Sequence, residues 1–300
     1  MKTEVLRHVA VTTGAGAEEA VVALLESQFG EVPSVFVDHT TNLSCVSVYL
    51  QNSDRPVSVD RRVIREGLDA LSRAGLDPAP GKVSVRQVRK QDWSESWKRH
   101  FKPIEVGPGL LVKPSWSRRK CRSGQKVVIL DPGLSFGTGR HPTTAFCLEQ
   151  LYDARELMVE HGLLDMGTGS GILAISAAKL GYRPVHAFDA DPEAVRIAAG
   201  NATRNRVAQK IELSLQDLTR LPVRAKVRYG VVCANLMDAL LIQESKRIVN
   251  RLRPGGRLVL AGILTTQFPK VRSVFEQTGL SLLRTHAEGE WQSGMFSSVA

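Results

Sequence analysis

The chain has 300 residues, 43% of them hydrophobic, and carries 40 Lys and Arg against 30 Asp and Glu, a net charge of +10. The length predicts about two domains, and the apolar share is enough to bury a sizeable core. No apolar run approaches the roughly 18 residues of a membrane span, and MKTEVLRHVAVTT at the N-terminus has no apolar signal region.

The four cysteines, Cys45, Cys121, Cys147 and Cys233, lie far apart and form no C-x-x-C pair, so neither a zinc site nor a redox pair is expected. Scattered thiols fit a reducing compartment. The expected location is cytoplasmic, with no membrane partner and no metal.

The N-terminal elements alternate. VLRHVAVTT (5–13) reads as a strand, and AGAEEAVVALLESQF (15–29) has the apolar spacing of a helix. PSVFVDHT (33–40) and LSCVSVYL (43–50) read as two strands joined by Thr41 and Asn42. VDRRVIREGLDALSRAG (59–75) is a second amphipathic helix stopped by Gly75, and VSVRQVRK (83–90) a last strand. The order βαββαβ predicts a ferredoxin-like α+β domain over 1–90. No residue in it looks catalytic, so it is read as a partner-binding module, with a purely structural appendage as the alternative.

Residues 91–109, QDWSESWKRHFKPIEVGPG, read as a linker, with Trp93 and Trp97 on one face if helical. LLVKPSW and KVVILD beyond it look extended. Between them lies the densest basic stretch, with Lys113, Arg118, Arg119, Lys120, Arg122 and Lys126. A solvated loop is the preferred reading and an RNA-facing patch the alternative.

From Thr143 onward strands and helices alternate. A helix (143–154) precedes a strand at 163–166; further strands are expected at 184–189, 211–215, 229–235 and 257–262. Helices are expected near 172–181, 191–204, 237–252 and 266–278, and a final hairpin turns at Gly289. Such alternation demands a parallel sheet covered on both faces, here with one antiparallel strand inserted by the hairpin.

The richest stretch is GLLDMGTGSGILAISAAKLGYRPVHAFDAD (162–191). An apolar run meets Gly167, Gly169 and Gly171, a small-residue helix follows, and a second apolar run ends in Asp189. This is a βαβ unit for a nucleoside ligand, with the acid placed for two ribose hydroxyls. A dinucleotide turn reads G-x-G-x-x-G; here the spacing is G-x-G-x-G, with Ile172 where the third dinucleotide glycine would stand. A tight turn without a pyrophosphate register is the S-adenosylmethionine pattern. The bland alternative is a turn that only packs strand on helix.

Two more constellations flank it. DPGLSFGTGRHPTT (131–144) can fold over a ligand: Thr144 offers a hydroxyl, Phe136 can screen the reacting group from water, and His141 is read as structural more than catalytic. VVCANLMDALL (231–241) is an apolar strand ending in Asn235-Leu236, where ligands meet parallel sheets. Asn235 can hold an amine without carrying charge; capping the next helix is its bland role.

In this order the constellations resemble the PrmA family, bacterial methyltransferases of the eleventh large-subunit ribosomal protein. The matching text is DWSESWKRHFKPIEVGPGLLVKPSW, DPGLSFGTGRHPTT, LLDMGTGSGILAISAAKLG, FDADPEAVRIAAGNATRN, ANL followed by LRPGGRLVLAGIL, and EGEW. The likeness is strong across 91–300 and weaker in the N-terminal domain. It implies a class I S-adenosylmethionine-dependent methyltransferase, Rossmann-like, with a mainly parallel sheet and one antiparallel strand, over 110–300. It implies S-adenosyl-L-methionine as cofactor, touched by Thr144, Gly167, Asp189 and Asn235, with Gly169 and Phe136 beside it. It implies methylation of lysine ε-amino and N-terminal α-amino groups, with Asn235 and the Leu236 carbonyl orienting the amine. The N-terminal domain is then a substrate-recognition domain for the ribosomal protein, and a transient rRNA contact is a further partner. Two departures are visible: Arg140 stands in place of the family's Thr, and Leu236-Met237-Asp238 in place of Ile-Leu-Ala. Competing readings are a lysine methyltransferase of another protein, an NAD-dependent dehydrogenase and an inactive ribosome- or RNA-binding module.

Overall fold

A computed structural model describes residues 5–38, 41, 43–51, 56–89, 101–131 and 141–298. The chain divides into two compact units, Met1–His100 and Phe101–Ala300.

In the first unit β1 (Val5–Gly14), α1 (Glu18–Phe29), β2 (Ser34–Asp38), β3 (Leu43–Gln51), α2 (Val57–Arg73) and β4 (Pro80–Arg89) follow one another. The four strands form one antiparallel sheet in the order β2-β3-β1-β4, the ferredoxin-like arrangement. Period-two alternation sends Val9, Val11, Val46, Val48 and Val85 to one face, where Val21 and Leu25 of α1 and Ile64 and Leu68 of α2 cover them. Asp60 lies one turn before Ile64 on the same buried face. It accepts a 2.7 Å bond from Arg7 of β1, so the charge enters the core only as half of a pair.

The second unit opens with a small sheet of β5 (Ile104–Val106), β6 (Leu110–Lys113) and β7 (Lys126–Ile129). β5 falls within the stretch 91–109 and pairs antiparallel with β6. Then come α3 (Pro142–Met158), β8 (Leu163–Met166), α4 (Ile172–Leu180), β9 (Val185–Asp189), α5 (Pro192–Arg204), β10 (Ile211–Leu215) and β11 (Tyr229–Asn235). α6 (Asp238–Gln243), α7 (Ser245–Val249), β12 (Leu252–Leu264), α8 (Phe268–Gln277), β13 (Leu280–Glu288) and β14 (Trp291–Ser298) complete it. The main sheet runs β10-β9-β8-β11-β12-β14-β13. Neighbours from β10 to β12 pair in parallel, and β14 runs antiparallel between β12 and β13. Apolar clusters cover both faces, which explains why β8 and most of β11 are buried residue after residue.

The expected helix over 237–252 is two helices. The chain breaks at Glu244 (φ −102°, ψ 13°), whose buried carboxylate pairs with Arg247. The strand expected from 257 starts at Leu252, opposite Tyr229, with an irregularity before Arg257. Trp93, Trp97, Arg140 and the glycine loop with Phe136 lie outside the described residues.

Candidate active site

β8 leads through β9 toward one end of the sheet, and β11 starts on its other side and leads toward β12 and β14. Strand order therefore reverses between β8 and β11, opening a crevice beyond their C-terminal ends. Gly167, Gly169 and Gly171 lie in the turn after β8, Asp189 ends β9, and Asn235 ends β11.

The turn is held by its neighbours. Gly167 N and Thr168 N both donate to Phe188 O, at 2.9 and 3.0 Å, and Gly171 N donates to Thr168 O at 2.8 Å. Gly167 has φ +71°, and a Cβ there would lie 2.5 Å from Leu236 Cδ2. The Leu236 side chain thus closes over the glycine and brings the ends of β8 and β11 together. Leu236 N donates to Ala261 O, which leaves its carbonyl as the group beside Gly262. At Gly262 (φ +79°) a Cβ would sit 2.8 Å from that carbonyl oxygen and 3.0 Å from Asn235 Oδ1. Only glycine lets the backbone of β12 approach both polar groups this closely.

Asp189 is fixed by two backbone donors: Gly169 N to Oδ2 at 2.9 Å and Asp191 N to Oδ1 at 3.1 Å. A carboxylate offers about four lone-pair sites, so acceptor capacity remains on a rigid, half-exposed group. Asn235 Oδ1 and Thr144 Oγ1 are both buried without a hydrogen-bond partner among the described residues. Thr144 sits in the first turn of α3, which packs on β11 and β12. An unpaired buried polar atom costs about 1–3 kcal/mol. Two such atoms and a carboxylate with spare acceptors fit a small ligand with hydroxyl and amine donors. The chemistry of that set suits S-adenosylmethionine.

His141 is otherwise engaged: Nδ1 shares a 2.7 Å hydrogen bond with Thr143 Oγ1, and the ring meets Trp291 edge-on at 4.9 Å. Asp165 was not among the expected site residues. It is 1% exposed beneath the turn, where its Oδ2 accepts from Thr168 Oγ1 at 2.6 Å. Burial pushes its carboxyl up to about 6 against the pull of that hydroxyl and of the Ala174 backbone, with the nearby Asp189 adding to the rise. Its signal in the sequence was a lone acid inside the apolar run 163–166.

A parallel sheet with one inserted antiparallel strand, a G-x-G-x-G turn at the reversal and an acid ending the next strand define a class I S-adenosylmethionine-dependent methyltransferase. The profile of the Ribosomal protein L11 methyltransferase (PrmA) family matches residues 8–297. The chain belongs to that family. It is 42% identical over 221 residues to a ribosomal protein L11 methyltransferase of Trichlorobacter lovleyi, covering 72% of this chain and 70% of that one. With the Geobacter metallireducens protein of the same name it shares 39% over 242 residues, covering 78% of each. A crystal structure of a ribosomal protein L11 methylase from Lactobacillus delbrueckii subsp. bulgaricus aligns at TM-score 0.59 and 27% identity, over 67% of this chain and all of that one.

Proposed function

We propose that this chain transfers methyl groups from S-adenosylmethionine to amino groups of large-subunit ribosomal protein L11, at lysine side chains and the N-terminal α-amino group. The carrying observation is that Thr144 Oγ1 and Asn235 Oδ1 are buried without a partner among the described residues, in a member of this family. Thr144, Gly167, Gly169, Asp189 and Asn235 would hold the cofactor, with Phe136 as its cover. The bound cofactor supplies an electrophilic methyl on a positively charged sulfur, and sulfur leaves as a neutral thioether.

The rest falls to the chain. Asn235 and the Leu236 carbonyl accept hydrogen bonds from the amine and aim its lone pair. The nucleophile must be neutral, whereas a free lysine titrates near ~10.4. Partial burial beside the positive sulfur of the bound cofactor would disfavour ammonium, and the released proton goes to solvent. Alignment of this kind contributes up to roughly 7–11 kcal/mol.

The N-terminal unit, with its own core, serves in this reading to recognise the substrate. A ribosomal protein substrate sets the reaction in the cytoplasm. All four cysteines are free thiols, and no helix among the described residues is long and apolar enough to cross a membrane. In the basic loop Arg119 and Arg122 are tied to Glu105 and Lys113 to the carbonyls of Ser117 and Arg119, while Arg118, Lys120 and Lys126 face solvent and would be the groups left for a transient rRNA contact.

The test is intact mass measurement of purified L11 after incubation with enzyme and cofactor. Increments of whole methyl groups, mapped to amines, are expected. Unmodified L11 alongside a different labelled protein in a cell extract would overturn the assignment.

A further inference from the structure

Parallel pairing gives the second unit two unlike edges. The C-terminal ends of the strands carry Gly167, Asp189 and Asn235. The N-terminal ends are entered by the connections 205–210 into β10 and 222–228 into β11, and by the opening residues of β12. Arg206, Lys210, Arg224, Lys226, Arg228 and Arg253 stand along these segments. All six reach solvent, and none of their side chains has an ion pair or hydrogen bond among the described residues. Glu160 is paired with Arg183, while Glu212, 3.1 Å from His186, keeps its negative charge wherever that ring is neutral, so cations outnumber unpaired acids along these segments.

The segments are anchored. Arg251 Nη2 donates to Pro222 O at 3.0 Å, and Tyr229 N to Arg251 O at 2.8 Å, which holds 222–228 against the edge. Arg206 follows Asn205, whose side chain is bonded to both the N–H and the carbonyl of Ile129. Lys179, in the last turn of α4, titrates below the ordinary lysine range; partial burial is the main cause, followed by the charges of Lys210, Arg206 and Lys126. Arg206, Lys210, Lys126 and Lys179 thus lie within electrostatic reach of one another at one corner of this edge. From β10 to β12 the edge spans four strand spacings, about 19 Å at roughly 4.8 Å each.

We propose that this edge binds the phosphodiester backbone of RNA without reading its bases, while the opposite edge carries out methyl transfer. The three segments contain no exposed aromatic residue on which a base could stack, so phosphate contacts are what they offer. No amphipathic helix presents these cations, as a membrane-surface binder would require. The choice of RNA over other polyanions rests on the reading of the substrate as a ribosomal protein.

Anisotropy of a labelled 20-nucleotide mixed-sequence RNA with the full chain tests this. With about five phosphates engaged, log affinity should fall against log salt with a slope of about −3.5, roughly 100-fold between 50 and 200 mM. Two double variants, Arg206→Asn with Lys210→Gln and Arg224→Gln with Arg228→Gln, should each lower the slope by about 1.4. Asn suits the left-handed backbone of residue 206 (φ 58°). Methyl transfer to free L11 should be unchanged in both. The proposal is overturned if the wild type fails to bind RNA at 50 mM salt, if both variants keep its slope, or if phosphatidylserine vesicles bind and RNA does not. RNA binding is read without methyl transfer, so RNA binding with unmodified L11 would refute the functional reading alone.

Discussion

Asp189 and Asn235 end the two strands that flank β8, and each should fail in its own way. Asp189→Ala removes a charged acceptor, worth about 1.5–3 kcal/mol. Calorimetry should show cofactor affinity falling roughly 10- to 150-fold. Asn235→Ala should leave cofactor affinity closer to wild type and lower kcat about 100-fold, the cost of a misplaced reacting group; full kcat at saturating cofactor would refute its role. The positions of both residues were legible in the sequence because each closes an apolar run that becomes a parallel strand. Asp165 was not, since two apolar neighbours and a glycine turn say nothing of which acid lies below the surface. Its carboxyl titrates near 6 in the fold, above the usual ~3.9 of an exposed Asp. The folded state therefore holds this proton more tightly, and the group costs stability as pH rises from about 4, with the penalty complete above about 6. Asp165→Asn keeps an acceptor for Thr168 without the charge. Its stability relative to wild type should improve by about 2 kcal/mol between pH 4.5 and 7.5; denaturant melts showing no pH trend in the difference would disprove it.

Among the elements, apolar period was enough to place the strands 211–215 and 229–235 and the helices around 172–180 and 192–204. Those segments bury one consistent face, or both, and their caps are local: Asp191 accepts from Glu193 N at 2.8 Å, with Pro192 following. The break at Glu244 was hidden because SKRIVN continues a helical pattern across it. The cause is tertiary: Arg247 pairs with Glu244 and also donates to Leu221 O at 2.7 Å. The joint between β7 and α5 was equally hidden, since it rests on one side chain 76 residues away. Asn205 accepts from Ile129 N at 2.7 Å and donates to Ile129 O at 2.7 Å and to Asn201 O at 2.9 Å. Asn205→Ala would strip both backbone groups of Ile129, at about 2–4 kcal/mol. For a unit of this size the melting temperature should drop about 5–10 °C, with hydrogen exchange rising first in 126–129. Unchanged exchange there would show the joint to be held by other contacts.

At the scale of the whole molecule, the two units have separate cores, so their stabilities can be moved one at a time. The lever is the buried pair of Arg7 and Asp60, whose side chains are 9% and 0% exposed. Asp60→Ala leaves the arginine without its carboxylate, which costs about 3–5 kcal/mol when such a pair is broken. A unit of about 100 residues loses roughly 4–8 °C per kcal/mol, so its transition should fall by more than about 10 °C while the second unit's stays in place. Between the variant's and the wild type's first transitions, only the variant lacks a folded N-terminal unit. In that window cofactor affinity should match the wild type within about twofold, because the residues proposed to hold it, Thr144, Gly167, Asp189 and Asn235, all belong to the second unit. The kcat/KM for intact L11 should fall about 100-fold or more, since a tethered recognition module raises apparent affinity by roughly 10²–10⁴ through effective concentration. Activity on a short lysine peptide, too small to use a recognition unit, should be unaffected. Equal rates on intact L11 with the first unit melted would show that substrate recognition lies within residues 101–300.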